Sequence, residues 1–232
     1  MFQGVVDPRV PHKCDYPLKS LFFAGMLMFL FRLGARRQIA LRLRNRRSNE
    51  KMKALFEVES VPHGDTLNRT FLKLDPDEVQ ESVSAMTARL IRNKILVDSR
   101  LFGCFVVAVD GTGVLTFKER HCPYCLTRKH ASGVTTYYHN VLEAKLITPS
   151  GFAFSLMTEF IENEMPNPTK QDCELKAFYR LAERLYERFP RLRILLSLDG
   201  LFAGGPTFAL CESYGWKYMV VMKDGDLKSV HE

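Results

Sequence analysis

The sequence has no apolar run long enough to cross a bilayer. Its longest, "LFFAGMLMFLF" from Leu21 to Phe31, covers eleven residues and ends on Arg32, whereas a membrane helix needs about 18 to 20. A buried helix is the expectation. The stretch after it, "RLGARRQ", lacks the small residues of a signal-peptide cleavage site, so a cytoplasmic protein with no membrane partner is expected. Nucleotide fingerprints are missing too: "DGTG" carries only two of the glycines, and "LFAGGP" has no Lys-Ser/Thr behind it. Six cysteines without an export signal argue against a disulfide framework. Of these, Cys104 and Cys211 sit in apolar surroundings that suit packing. There is no internal repeat and no low-complexity segment.

What remains is a chain of 232 residues, 46% hydrophobic, with a net charge of +7. That is enough for one full domain and a smaller one. The charge is lopsided: residues 1–100 hold 18 Lys and Arg against 11 Asp and Glu, while residues 101–232 hold 15 of each. Within "RLGARRQIALRLRNRR" lie Arg32, Arg36, Arg37, Arg42, Arg44, Arg46 and Arg47. The planar guanidinium fork matches phosphate oxygens, so a polyanion is the natural partner; a solvated helix face is the alternative.

Residues 1–100 read as short helices separated by Gly and Pro. One begins near Pro17; one follows the "VPHGD" break with Asp65 or Thr66 as N-cap; another starts at Asp75-Pro76. His63 in that break reads as a loop residue. A small Arg-rich helical region is compatible with a helix-turn-helix-like DNA-binding module.

After Arg100 the pattern changes. "CFVVAV", "YHNVLEAKLIT", "GFAFSLMTEFI", "RILLSLD" and "KYMVVMK" have strand length and composition. "ELKAFYRLAERLYERF", closed by Pro190, and "PTFALCESYG" read as helices. The expected order is βββαβαβ, a mixed α/β (α+β) domain behind a helical region. A helical crossover returns a strand parallel to its neighbour. If "CFVVAVD" and "RILLSLD" are adjacent and parallel, Asp110 and Asp199 both end strands at the carboxyl edge, where open α/β sheets bind ligands. Two close carboxylates repel unless a cation neutralises them, and an oxygen-only cluster suits Mg²⁺ or Mn²⁺. Such a pair fits two-metal phosphoryl transfer. An Asp-Gly pair is also a favoured turn; two of them ending buried strands, beside an Arg-rich region, favour the site.

The order of elements resembles the ribonuclease H-like fold. More closely, "VVAVDGTG", "HCPYCLTRKHASGVTTYYHNVLEAKLITPSG", "EFIENE", "KQDCELKAFYRLAERL" and "ILLSLDGLFA", together with the N-terminal "PLKSLFFAGMLMFLFRLGARRQ" and "SVPHGDTLNRTF", resemble a DDE transposase of a bacterial insertion sequence. The resemblance implies cleavage of transposon ends by metal-activated water, then joining to target DNA. It also implies a homodimer on DNA and a nucleoid-associated location. Asp110 and Asp199 match the first two catalytic acids. The third is ordinarily a glutamate well after the second aspartate, and only 33 residues follow Asp199, so the chain is expected to stop before it. Glu174, in the first turn of the helix between the strands, is the substitute where ribonuclease H carries a metal-binding glutamate. A DNA-binding remnant without catalysis, a self-contained nuclease using Glu174 and a zinc-dependent interaction module are the rival readings.

A final cluster is Cys122-x2-Cys125, with His121 adjacent and His130 and His139 downstream. A Cys-x2-Cys knuckle suits tetrahedral zinc, with Cys122, Cys125 and His139 as candidate ligands and Cys173 as a further one. The histidine spacing is irregular, and a turn of free thiols is the alternative.

Overall fold

The computed structural model describes residues 4–165 and 168–221, in two units, Met1–Ser82 and Val83–Glu232. In the first unit, α1 (Leu18–Leu30), α2 (Arg37–Leu43), α3 (Arg46–Phe56) and α4 (Gly64–Phe71) surround a core of Leu21, Ala24, Leu27, Ile39, Leu43, Met52, Val58, Val61 and Leu67. The apolar run of α1 is buried mainly between Leu21 and Leu27; Phe29 and Leu30 at its end are 77% and 73% exposed. Among the described residues no helix is long and apolar enough to cross a membrane.

The helix starts follow local chemistry. Asn45 accepts from Ser48 N–H and caps α3. The cap of α4 differs from expectation: His63, not Asp65 or Thr66, is its N-cap, and His63 Nδ1 accepts from Asp65 N–H at 3.2 Å. Gly64 then opens the helix, where a Cβ would sit 2.8 Å from the Arg36 carbonyl oxygen. The glycine thus lets α4 approach the backbone at the start of α2. Asp75 Oδ1 accepts from Asp77 N–H as α5 (Pro76–Arg92) begins, and α5 runs across the division between the units.

Strands replace helices at Arg100, where sequence composition also changes. β1 (Arg100–Leu101) folds back on β2 (Cys104–Phe117) through Phe102 and Gly103, both at positive φ, as a two-residue primed turn requires. β3 (Leu126–Lys129), β4 (Thr135–Ile147) and β5 (Ala153–Ile161) come next, then α6 (Glu174–Arg188), β6 (Ile194–Asp199), α7 (Gly205–Ser213) and β7 (Lys217–Val221). Among the described residues, seven strands form one mixed sheet. β4 pairs antiparallel with β2, β3 and β5, while β6 lies parallel to both β2 and β7.

The five strands expected from apolar pattern leave out β1 and β3. β3 is short and polar, and it exists by pairing with Thr135–Tyr138 of β4 across the turn at His130–Gly133. The second difference concerns β2, whose apolar run ends at Asp110. The strand continues to Phe117 because β4 supplies partners as far as Phe117↔Tyr137, with a bulge between Gly113 and Leu115. Asp110-Gly111 is therefore mid-strand and is not a turn.

The core of this unit lies between the sheet and α6. Phe105, Val107 and Val109 of β2, Leu142, Ala144 and Leu146 of β4, and Ile194, Leu196 and Leu198 of β6 pack with Ala177, Phe178, Leu181, Ala182 and Leu185. These helix positions recur at three- and four-residue spacing. Cys211 belongs to the same core, and burial pushes its thiol up to about 11. α6 is also fastened by charge: Arg180 and Arg184 both bond the carboxylate of the buried Glu159 on β5, at 2.6 and 2.8 Å, and Arg180 reaches Asp172 at 2.7 Å.

Candidate active site

Two strands set the positions of the aspartates. β2 and β6 are parallel neighbours, and their ladder ends with Ala108 beside Ser197. Asp110 and Asp199 lie two residues further along each strand, at equivalent places, and the period of two turns both side chains to the same face. Both are exposed. The parallel adjacency expected from the two apolar runs is present, and it arises because α6 and its connections carry the chain back to the same edge.

The two aspartates differ locally. Asp199 is the N-cap of the 3-10 turn Gly200–Phe202, and its Oδ1 accepts from Leu201 N–H at 3.0 Å. Asp110 is held by β-pairing, directly across from Glu143 of β4. Like charges opposite one another in a sheet repel; here Lys145 lies 2.6 Å from Glu143 and offsets part of that charge. Glu143 is the residue that sequence reasoning passed over. Only the pairing register, set by the long β2–β4 ladder, could have marked it.

Glu174 arrives from α6. It is the first residue of the helix, behind Cys173 as N-cap, and its carboxylate lies over Gly111. A Cβ at position 111 would collide with Glu174 Oε1 and lie 2.6 Å from Cδ. The glycine after Asp110 therefore makes room for a third carboxylate. Gly111 points to the face where α6 packs, so Glu174 flanks β2 from that side and Asp110 from the other. Burial, then the charges of Asp199 and Asp110, push the Glu174 carboxyl above its ordinary value of 4.5. The helix N-terminus favours a negative charge here, yet the other carboxylates and burial outweigh it.

Asp110, Asp199 and Glu174 offer only oxygen donors, the chemistry that suits Mg²⁺ or Mn²⁺, with the two aspartates on one face of the sheet and Glu174 reaching β2 over Gly111 on the other. They are spread more widely than one compact ligand group. Among the described residues the tight group, with ligand atoms all within 4.8 Å of one another, is Cys122, Cys125 and His139. The sulfurs are 3.7 Å apart and each lies 3.3 Å from His139 Nε2. His130 and Cys173 do not join them: His130 bonds the Thr136 hydroxyl at 3.0 Å, and Cys173 is exposed at the start of α6. His121 stacks on Phe117 with ring centroids 4.5 Å apart.

The arginines occupy the first unit. Arg36 precedes α2, Arg37 and Arg42 lie on it, Arg44 follows it, and Arg46 and Arg47 open α3. All six are exposed. Arg46 pairs with Glu50 at 3.0 Å, but both side chains are open to solvent, where such a pair contributes little.

Residues 1–86 match the family described as DDE_Tnp_1-associated. No curated protein matches the chain. The match covers the helical, arginine-rich unit and the start of α5, and over those residues the chain is similar to a region associated with DDE transposases.

Proposed function

We propose that the protein acts in DNA transposition, binding DNA through the arginines of α2 and α3 and cleaving it by metal-dependent phosphoryl transfer at Asp110 and Asp199. The observation that carries this reading is the matched position of the two aspartates on adjacent parallel strands, with the Glu174 carboxylate brought in over Gly111. The strand order β5-β4-β2-β6-β7, three antiparallel strands and then two parallel ones, resembles that of a ribonuclease H-like core. The transposase-associated match at residues 1–86 supports a DNA partner.

Mg²⁺ or Mn²⁺ at this edge would supply a nucleophile from water at neutral pH and offset charge on the phosphate. The chain's own residues have separable roles. Asp110 and Asp199 offer carboxylate oxygens on the same face, just beyond the last β2–β6 pair, where a phosphate can approach both. The Asp199 turn fixes one of its oxygens on Leu201 N–H and orients the other. Glu174 contributes negative charge that is costly without a cation, which favours occupancy of the site. The arginines of the first unit hold the polyanion by phosphate contact without selecting sequence; a homodimer on DNA would double that contact.

A second reading is favoured by Glu174 itself: a metal-dependent nuclease whose three acids all lie in this chain. The test is Mn²⁺-dependent nicking of DNA by the 232-residue protein beside Asp110→Ala, Asp199→Ala and Glu174→Ala. Loss of activity in all three variants supports a site complete in these residues. No cleavage by the unaltered chain, with salt-sensitive DNA binding intact, supports a transposase that needs a further acid. Cleavage that survives Asp110→Ala and Asp199→Ala overturns both readings.

A further inference from the structure

The Cys122, Cys125 and His139 cluster is not used by the phosphoryl-transfer site. A tetrahedral zinc ion, with Zn–S near 2.3 Å and Zn–N near 2.0–2.1 Å, needs ligand separations of about 3.8 Å between sulfurs and about 3.5 Å between sulfur and nitrogen. The observed separations are 3.7, 3.3 and 3.3 Å. They are far from a disulfide, whose sulfurs lie about 2.05 Å apart. Hydrogen bonding alone is also a poor account. A single imidazole nitrogen either accepts one thiol proton or donates one, yet here it lies equally close to both sulfurs. Equal spacing about a common centre is what a shared ion produces. Two soft sulfurs and an imidazole select zinc over the hard cations of the carboxylate edge.

We propose that Cys122, Cys125 and His139 bind one zinc ion, with solvent at the fourth corner, and that this ion is a clip that fixes the entry to α6. The cysteines lie in the segment between β2 and β3, and His139 lies on β4 beside Leu115 of β2. The ion therefore joins a connecting loop to the middle of the sheet. From Cys125 the chain of bonds continues. Asn163 donates its side-chain amide to the Cys125 carbonyl at 2.8 Å and accepts from Asp172 N–H at 3.3 Å. Gln171 bonds the backbone of Thr127 twice, accepting from its N–H at 2.6 Å and donating to its carbonyl at 3.0 Å. Residues 171 and 172 immediately precede Cys173 and Glu174. The positioning of Glu174 rests on the proposed role of the carboxylate edge; the binding of zinc does not.

The experiment measures metal in the reduced 232-residue chain, purified without chelators, by elemental analysis. About one zinc per chain is expected, unchanged in Asp110→Asn and mostly lost in Cys122→Ser and His139→Ala. Because those variants could misfold, the unaltered chain is also stripped with a chelator and titrated with Co²⁺. Thiolate-to-cobalt charge-transfer and tetrahedral ligand-field bands are expected, with displacement by zinc. Stripping is expected to raise amide exchange over residues 121–129 and 171–177 and to leave α7 unchanged. Three results would overturn the proposal: no bound zinc with no cobalt–thiolate bands, zinc retained in both variants, or a Cys122–Cys125 disulfide in the reduced protein. Failure of DNA cleavage with zinc bound would count against the carboxylate site alone.

Discussion

Asp110 and Asp199 stand at equivalent positions on neighbouring parallel strands, each two residues beyond the Ala108–Ser197 pair. Neither strand gains stability from a charge there, and Glu174 lies near both, its carboxyl pushed upward by burial and then by the charges of Asp199 and Asp110.

The two aspartates should act as a unit. Asp110→Asn or Asp199→Asn should each lower Mn²⁺-dependent cleavage by about a thousandfold, a loss of several kcal/mol of transition-state stabilisation. The double variant should be scarcely worse than either single one. Single-turnover cleavage assays with all three proteins check this, and additive losses would separate the residues into independent roles.

Gly111→Ala should be mild for the fold and severe for the site. The added Cβ meets only the end of the Glu174 side chain, which can swing away, so thermal stability should change by less than about 1 kcal/mol. Weaker Mn²⁺ binding by calorimetry, at nearly unchanged Tm, is the expected outcome.

The pH dependence originates in Glu174. Its folded-state carboxyl lies above its ordinary 4.5, so the folded protein holds more protons than the unfolded chain in that window. Stability then falls as pH rises through it. In metal-free protein, Glu174→Gln should remove this decline and be the more stable form above the window. Saturating Mg²⁺ should reverse the order. Thermal melts of both proteins across pH, with and without Mg²⁺, measure the effect.

DNA binding should depend on salt through the first unit. Each of Arg42, Arg44, Arg46 and Arg47 that contacts phosphate should lower the slope of log affinity against log salt by about one when changed to alanine. The loss should be similar for unrelated DNA sequences. Fluorescence anisotropy over a range of salt concentrations tests both points.

The Glu159 carboxylate should matter to stability more than its surface neighbours. It is 8% exposed and receives bonds from both Arg180 and Arg184, and Glu159→Ala should cost about 2 kcal/mol. Lys19→Ala, which breaks an exposed pair with Glu57, should cost under about 1 kcal/mol. Denaturant melts of the two variants compare them directly.

Sequence alone determined the elements whose signal is local. The β-branched runs of β2 and β6, the three- and four-residue spacing of α6, the Asp75-Pro76 helix start and the exposed arginines all arise from burial pattern and backbone preference within a few residues. Side-chain periodicity reports which face is buried, and that is enough to assign a strand or a helix. It carries no information about which distant residue lies opposite. Only the tertiary structure decided that β2 continues past Asp110, since a strand ends where its partner does. Pairing register alone put Glu143 across from Asp110. The Glu174 carboxylate came over Gly111 through helix packing, and His139, named with the cysteines from sequence, came within 3.3 Å of both sulfurs only once β4 had paired with β2. Contacts between residues far apart in the chain are fixed by register and packing, and those form only when the sheet closes.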